Sequence, residues 1–128
     1  MTYGIQKTVI GNFAAIIEKT KAELAKEGFG ILTQIDVRET LKKKLDVDYQ
    51  NYLILGACHP QSAYQVLQKE QEIGLLLPCN VIVYEKTDGT VVVSAIKPTS
   101  AMQMVENNEI KSIAEEIERK LERVIAGI

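Results

Sequence analysis

The sequence predicts an α+β two-layer domain, a mixed or mostly antiparallel sheet covered by helices on one face. Three observations carry that prediction. The apolar periodicities along the chain read β-α-β-(α)-β-α-β-β-α, the order of a sheet with helices packed against it. Two β-rich runs, 81–86 and 91–96, flank Thr87-Asp88-Gly89-Thr90 as a hairpin, which excludes a wholly parallel sheet. At the C-terminus Ile110, Ile113, Ala114, Ile117, Leu121, Val124 and Ile125 form one stripe at helical spacing.

The first strand is expected over residues 3–10, where Tyr3, Ile5, Lys7 and Val9 share one face. Asn12 then caps a helix whose apolar positions Phe13, Ile16, Ile17, Thr20 and Leu24 recur at helical spacing until Gly28 supplies a left-handed terminator. Ile31 to Ile35 reads as the second strand. Asp36, followed three residues later by Glu39, resembles a capping box for a short helix ending near Lys44. Asp46 and Asp48 mark a turn into the most apolar strand, Tyr49 to Cys58.

Pro60 suits the first position of a third helix, because its fixed φ fits there and its missing N–H would be unpaired anyway. That helix is expected to run to Ile73 and to close at Gly74. The Asp88-Gly89 pair predicts a type I′ turn in the hairpin, with positive φ at both central residues. Beyond Pro98 a short helical piece, Ser100 to Glu106, precedes the long last helix, capped by Asn107 or Asn108. In that helix Glu115 with Arg119 and Glu116 with Lys120 are spaced as i,i+4 pairs. Its stripe also fits a helix pairing between subunits, but two heptads are few for a coiled coil, so burial against its own sheet is the expectation.

At 128 residues the chain is sized for one domain, 1–128, which buries about two thirds of the surface that its unfolded form exposes. Its apolar share of 46% and charged share of 25% are those of a globular protein and disfavour disorder. A net charge of -2 leaves no basic field to attract phosphate backbones, so no nucleic-acid partner is expected. Lys42-Lys43-Lys44, bracketed by Leu41 and Leu45, is the solvated side of a short helix. The opening Met1-Thr2-Tyr3-Gly4-Ile5-Gln6 lacks the basic and apolar regions of a signal peptide, and no run of about 18 apolar residues occurs. A cytoplasmic protein without membrane association is expected, with both cysteines as free thiols.

Those cysteines are the strongest site signal. Gly56-Ala57-Cys58-His59-Pro60 and Leu75-Leu76-Leu77-Pro78-Cys79-Asn80 place two thiols, the sole histidine and two of the three prolines in short breaks between regular elements. Cys58 lies where a strand becomes a helix, and exposed N–H groups at a helix start stabilise a thiolate or a bound anion. Burial as a small apolar side chain is the commoner fate of a lone cysteine. His59 has the pKa of a proton shuttle, and it serves equally as a cap. Cys58, His59 and Cys79 lack the paired spacing of a zinc site, so no metal is expected. No dinucleotide fingerprint, phosphate loop or Gly-x-Ser-x-Gly elbow occurs, so no cofactor is expected. Asp36, Glu39, Asp46 and Asp48 lack calcium-loop spacing, and Met102 and Met104 do not share a helical stripe.

Whether the thiols meet depends on the return path. A helix of about 14 residues carries the chain about 20 Å away. Only an extended return through Leu75-Leu76-Leu77-Pro78, at about 3.3 Å per residue, brings Cys79 back toward Cys58.

In Leu55-Gly56-Ala57-Cys58-His59-Pro60 and Gly74-Leu75-Leu76-Leu77-Pro78-Cys79-Asn80-Val81-Ile82-Val83-Tyr84, the chain resembles the domain of unknown function 302 family. The resemblance extends to Tyr3-Gly4, Gly28-Phe29, Ile35-Asp36-Val37 and Pro98, nearly the whole length. It implies a compact α+β fold with a largely antiparallel sheet and a homodimer, and it implies no activity, substrate or cofactor. The most similar members carry asparagine where this chain has His59, which weakens a catalytic role for that side chain.

The residues are best read as a noncatalytic binding module for a small or anionic ligand at Cys58, His59, Pro60, Cys79 and Asn80. A thiol-dependent redox enzyme or sulfur carrier, with Cys58 as nucleophile and Cys79 resolving, is the alternative. A third reading makes the cysteines core and places function on a subunit or partner surface.

Overall fold

The computed structural model describes residues 3–128; Met1 and Thr2, the start of the segment read for a targeting signal, lie outside the described residues. Five strands, β1 (Gly4–Val9), β2 (Gly30–Asp36), β3 (Tyr52–Cys58), β4 (Cys79–Glu85) and β5 (Val91–Ile96), form one sheet in the order β1-β5-β4-β3-β2. Every neighbouring pair is antiparallel. The helices are α1 (Phe13–Lys26), α2 (Val37–Leu45), α3 (Pro60–Lys69), α4 (Pro98–Ala101) and α5 (Asn108–Ala126), with a 3-10 helix over Gln71–Leu76. Among the described residues no helix is long and apolar enough to cross a membrane.

The caps form where the side chains predict them. Asn12 accepts from the Ala15 N–H, and Asn107 accepts from the N–H groups of Glu109 and Ile110. Asp36 accepts from the Glu39 N–H, while the Glu39 carboxylate pairs forward with Lys43 at 2.9 Å. At the end of α1 the N–H of Phe29 bonds to Leu24 O and that of Gly28 to Ala25 O, a Schellman motif that needs the φ of 86° at Gly28. Phe29 and Leu24, joined by that motif, both enter the core.

The main core lies between the sheet and the pair α1 and α5. Leu53, Leu55, Val81, Val83, Val91 and Val93 alternate onto this face and meet Leu24, Leu121 and Val124. The α5 stripe is thus buried within its own chain, with Ile117 only 6% exposed. Ion pairs of α5 run to other elements, Glu109 to Lys69 and Arg123 to Glu27. A smaller cluster of Val66, Ile73, Met102, Ile110 and Ala114 joins α3, the 3-10 helix and α5. The register places Gln6, Ser94, Ile82, Ile54 and Ile35 in one row across the opposite face, with Thr8, Val92, Tyr84 and Tyr52 in the next.

Five local expectations are corrected. The third helix stops at Lys69: Glu70 is extended at φ -152°, and the break turns Ile73 into the smaller core, where it is 1% exposed. Gly74 is not a left-handed terminator, since positive φ at glycine is confined to Gly28 and Gly89 among the described residues. The hairpin turn is not type I′. The Gly89 N–H bonds to Lys86 O and the Lys86 N–H to Thr90 O, while Asp88 lacks positive φ. This is a three-residue loop with glycine at its left-handed position, and Asp88 favours it by accepting from the Thr90 N–H and hydroxyl. The third strand begins at Tyr52, not Tyr49; just before it Asn51 accepts from the Glu85 N–H through its backbone carbonyl and bonds the Arg38 and Glu85 side chains through its side-chain amide. The piece after Pro98 is helical only to Ala101.

Candidate functional site

The antiparallel sheet brings the two cysteine segments together. Because α3 ends early, the 3-10 helix and Leu77-Pro78, joined by a cis peptide, return the chain beside β3. Cys79 pairs across the ladder with Ala57, the neighbour of Cys58. Both thiols are free, and both line one cavity of 310 Å³ at the end of the sheet, beneath α3 and α5. The return is not the extended run expected over Leu75 to Pro78: Leu75 and Leu76 belong to the 3-10 helix and Leu77 is extended, yet with α3 stopping at Lys69 this path still brings the thiols to one cavity.

His59 is the N-cap residue of α3, with φ -98° and ψ 99°, but its side chain makes no capping bond. Its Nδ1 instead lies 2.9 Å from the Ser62 hydroxyl, one turn along the helix. The ring meets Phe29 edge-on, with centroids 5.5 Å apart, and Gly28 passes so close that a Cβ there would sit 3.1 Å from Nε2. Burial holds its pKa below the ordinary value, aided by the Lys120 charge and opposed by Glu116. The imidazole is therefore neutral near pH 7. It packs the junction between α1 and β2 against the start of α3.

Burial raises the Cys79 thiol to about 11, with a further push from Cys58. At neutral pH that sulfur is a protonated thiol on an apolar wall, since an uncompensated charge there would be costly. No lining residue carries a charged side chain. The deep wall comes from Val66, Met102, Ile110 and Ala114 of the smaller core, and the outer wall includes Leu32 and Leu67.

Three of the sequence-predicted site residues, Cys58, His59 and Cys79, thus share the cavity, while Pro60 and Asn80 do not line it. Pro60 is exposed at the start of α3. Asn80 pairs with Gly56 and lines a groove on the opposite sheet face, because successive strand residues point to opposite faces. Among the described residues no three His, Cys, Asp or Glu side chains gather to hold a metal.

Sequence reasoning missed Leu32, Val66, Leu67, Met102, Ile110 and Ala114. The register of β2 against β3 shifts between Ile31 and Thr33, so Leu32 is the extra residue of a bulge. Bulges re-aim side chains, often beside sites. Ala57 and Cys79, a cross-strand pair, had no local signal linking them. Met102 was readable only as an apolar residue near a proline.

A family model described as domain of unknown function DUF302 matches residues 5–128. A crystal structure of the uncharacterized conserved protein DUF302 from Bacillus stearothermophilus is 32% identical, covers 99% of this chain and 98% of its own, and superposes with a TM-score of 0.91. No curated protein matches the chain. The sequence and the backbone agree over the same span, and the chain belongs to the family described as domain of unknown function DUF302.

Proposed function

We propose that this protein is a noncatalytic binding module that holds a small apolar molecule in the cavity between the sheet end, α3 and α5. The observation that carries the reading is a 310 Å³ space walled by uncharged side chains, within the range of about 300–1,000 Å³ typical of ligand sites. The expectation of a small or anionic ligand narrows accordingly. An anion would find no cationic side chain on this wall, whereas an apolar molecule loses its water-exposed surface there. Catalysis asks for a charged or polarising group aimed inward, and the two polar side chains of the wall, His59 and Ser62, are bonded to each other.

Thermal unfolding with naphthalene as probe tests this reading. Naphthalene should raise Tm of the wild type and of Asn80→Ala, which lies outside the cavity, and should leave Tm of Ala63→Phe unchanged because the new ring occupies the space. Equal stabilisation of Ala63→Phe would move the site elsewhere.

The sharing of one cavity by two free thiols favours a second reading, thiol-dependent redox chemistry or sulfur carriage. Cys58 is then the nucleophile, because the Cys79 thiol remains protonated at neutral pH. Alkylation of Cys58 in native protein, measured against pH, tests it; a thiol that reacts only after denaturant is added rejects it.

Homodimerisation through the open sheet face is the proposal for partners. Tyr3, Tyr49, Tyr52 and Tyr84 line a groove there with Ile82 and without a charged residue, so two copies of the patch would meet without like-charge repulsion. The stripe of α5 is not available for this, being spent on its own core. Sedimentation of wild type and of Tyr52→Lys should give a dimer and a monomer; an unchanged mass for the variant would exclude this face.

A further inference from the structure

We infer that the cavity takes a linear aliphatic chain, held tail first with its polar end outside the mouth; this rests on the apolar-ligand reading above. The Ser62 hydroxyl and His59 Nδ1 are engaged with each other at 2.9 Å, the Nε2 edge of the ring packs against Gly28, and the remaining lining side chains are apolar or thiols. A ligand whose inserted part carries polar groups would lose their water bonds without replacement. The inserted part is therefore hydrocarbon.

The mouth then separates a chain from a compact molecule. Leu32 is 66% exposed and Leu67 is 39% exposed, and both line the same cavity as the buried Val66 and Ile110. One exposed leucine is ordinary. Two on the wall of one cavity mean that its apolar lining continues from the interior to solvent. The Leu32 side belongs to a bulge on the edge strand β2, where an added residue can be aimed independently of the sheet's alternation.

Capacity gives the length. An engineered apolar cavity of about 150 Å³ binds benzene, so by that measure the whole cavity, mouth included, takes about a dozen carbons. A ring system that fits inside leaves Leu32 and Leu67 in water. A chain of about twelve carbons that fills the cavity from its deep end to the mouth covers them as well, and the unbranched Met102 at the deep end can adapt to its terminus. Single-chain amphiphiles, such as fatty alcohols and acyl chains, have this shape.

The experiment measures binding of a 1-hexanol to 1-dodecanol series, with naphthalene as compact control, to wild type, Leu32→Ser and Ala63→Phe. Affinity should rise about fourfold per added carbon, the effect of burying one methylene. Leu32→Ser alters an exposed side chain and should fold normally. It should weaken 1-dodecanol about fivefold, for roughly 40 Å² of lost apolar contact, and leave 1-hexanol unchanged. Naphthalene binding without any dependence on chain length would overturn the chain inference and leave the apolar-cavity reading standing. Binding of neither probe class, or equal binding to Ala63→Phe, would overturn both.

Discussion

Raising the pH from 7.5 to 10 should destabilise the protein through Cys79, and the size of the effect follows from its burial. Its thiol has an ordinary value of 9.0, raised to about 11 in the fold. Between those values the folded state holds a proton that the unfolded state has released. The stabilising contribution is therefore complete below pH 9 and is lost as pH rises through 11. With those two values linkage gives a loss of about 1.4 kcal/mol at pH 10 and about 2.3 kcal/mol at pH 11. Urea unfolding of wild type and Cys79→Ala at pH 7.5, 9 and 10 isolates this contribution, because other alkaline titrations are common to both proteins. Wild-type stability should fall relative to the variant by about 1.4 kcal/mol between the first and last pH. Parallel pH profiles would refute the raised thiol, as would a Cys79 thiolate absorbance, read in a Cys58→Ala background, that titrates at the ordinary value.

Other perturbations test the frame around the cavity. A Cβ at Gly56 would collide with the Thr33 hydroxyl and stand 2.9 Å from the Pro78 ring, so Gly56→Ala should cost about 1–3 kcal/mol in urea unfolding. Adding Thr33→Ala should recover part of that loss; independent, additive effects would contradict the packing. For His59, whose folded pKa lies below 6.5, the unfolded state binds the extra proton, so wild-type stability should decline as pH falls through 6.5. His59→Gln lacks this slope, and a constant Tm difference between the two from pH 8 to 5 would rule it out. Asn107→Ala removes the acceptor for two N–H groups of α5 and should cost about 1 kcal/mol without changing the denaturant slope. A loss below about 0.3 kcal/mol would show that water replaces the cap.

Much of the fold was legible because its determinants are local. Asn12, Asp36 and Asn107 bond within three residues of themselves, and Gly28 terminates α1 through contacts inside a single turn. The α5 stripe reports its buried face directly through its period. Where distant groups compete, the local reading failed. Helical spacing continues past Lys69, but burial of Ile73 against Val66, Met102 and Ile110 favours a break there. Asp88-Gly89 accommodates two kinds of turn, and the Asp88 bonds to Thr90 select the longer one.

The candidate site divides in the same way. By itself the sequence determined that Cys58 and His59 stand at a strand-to-helix turn, that Cys79 opens a strand, and that the chain carries the family's pattern. Tertiary structure alone decided that Cys79 faces Ala57, that Asn80 points away from the thiols, and that Leu32 leaves its strand's alternation at a bulge. It also decided that the space between them is apolar, because that property belongs to residues from β2, β3, α3, α4 and α5 jointly. The physical reason is range: caps and periodicity act over one or two turns, whereas register and cavities arise when segments far apart in the chain exclude water from one another.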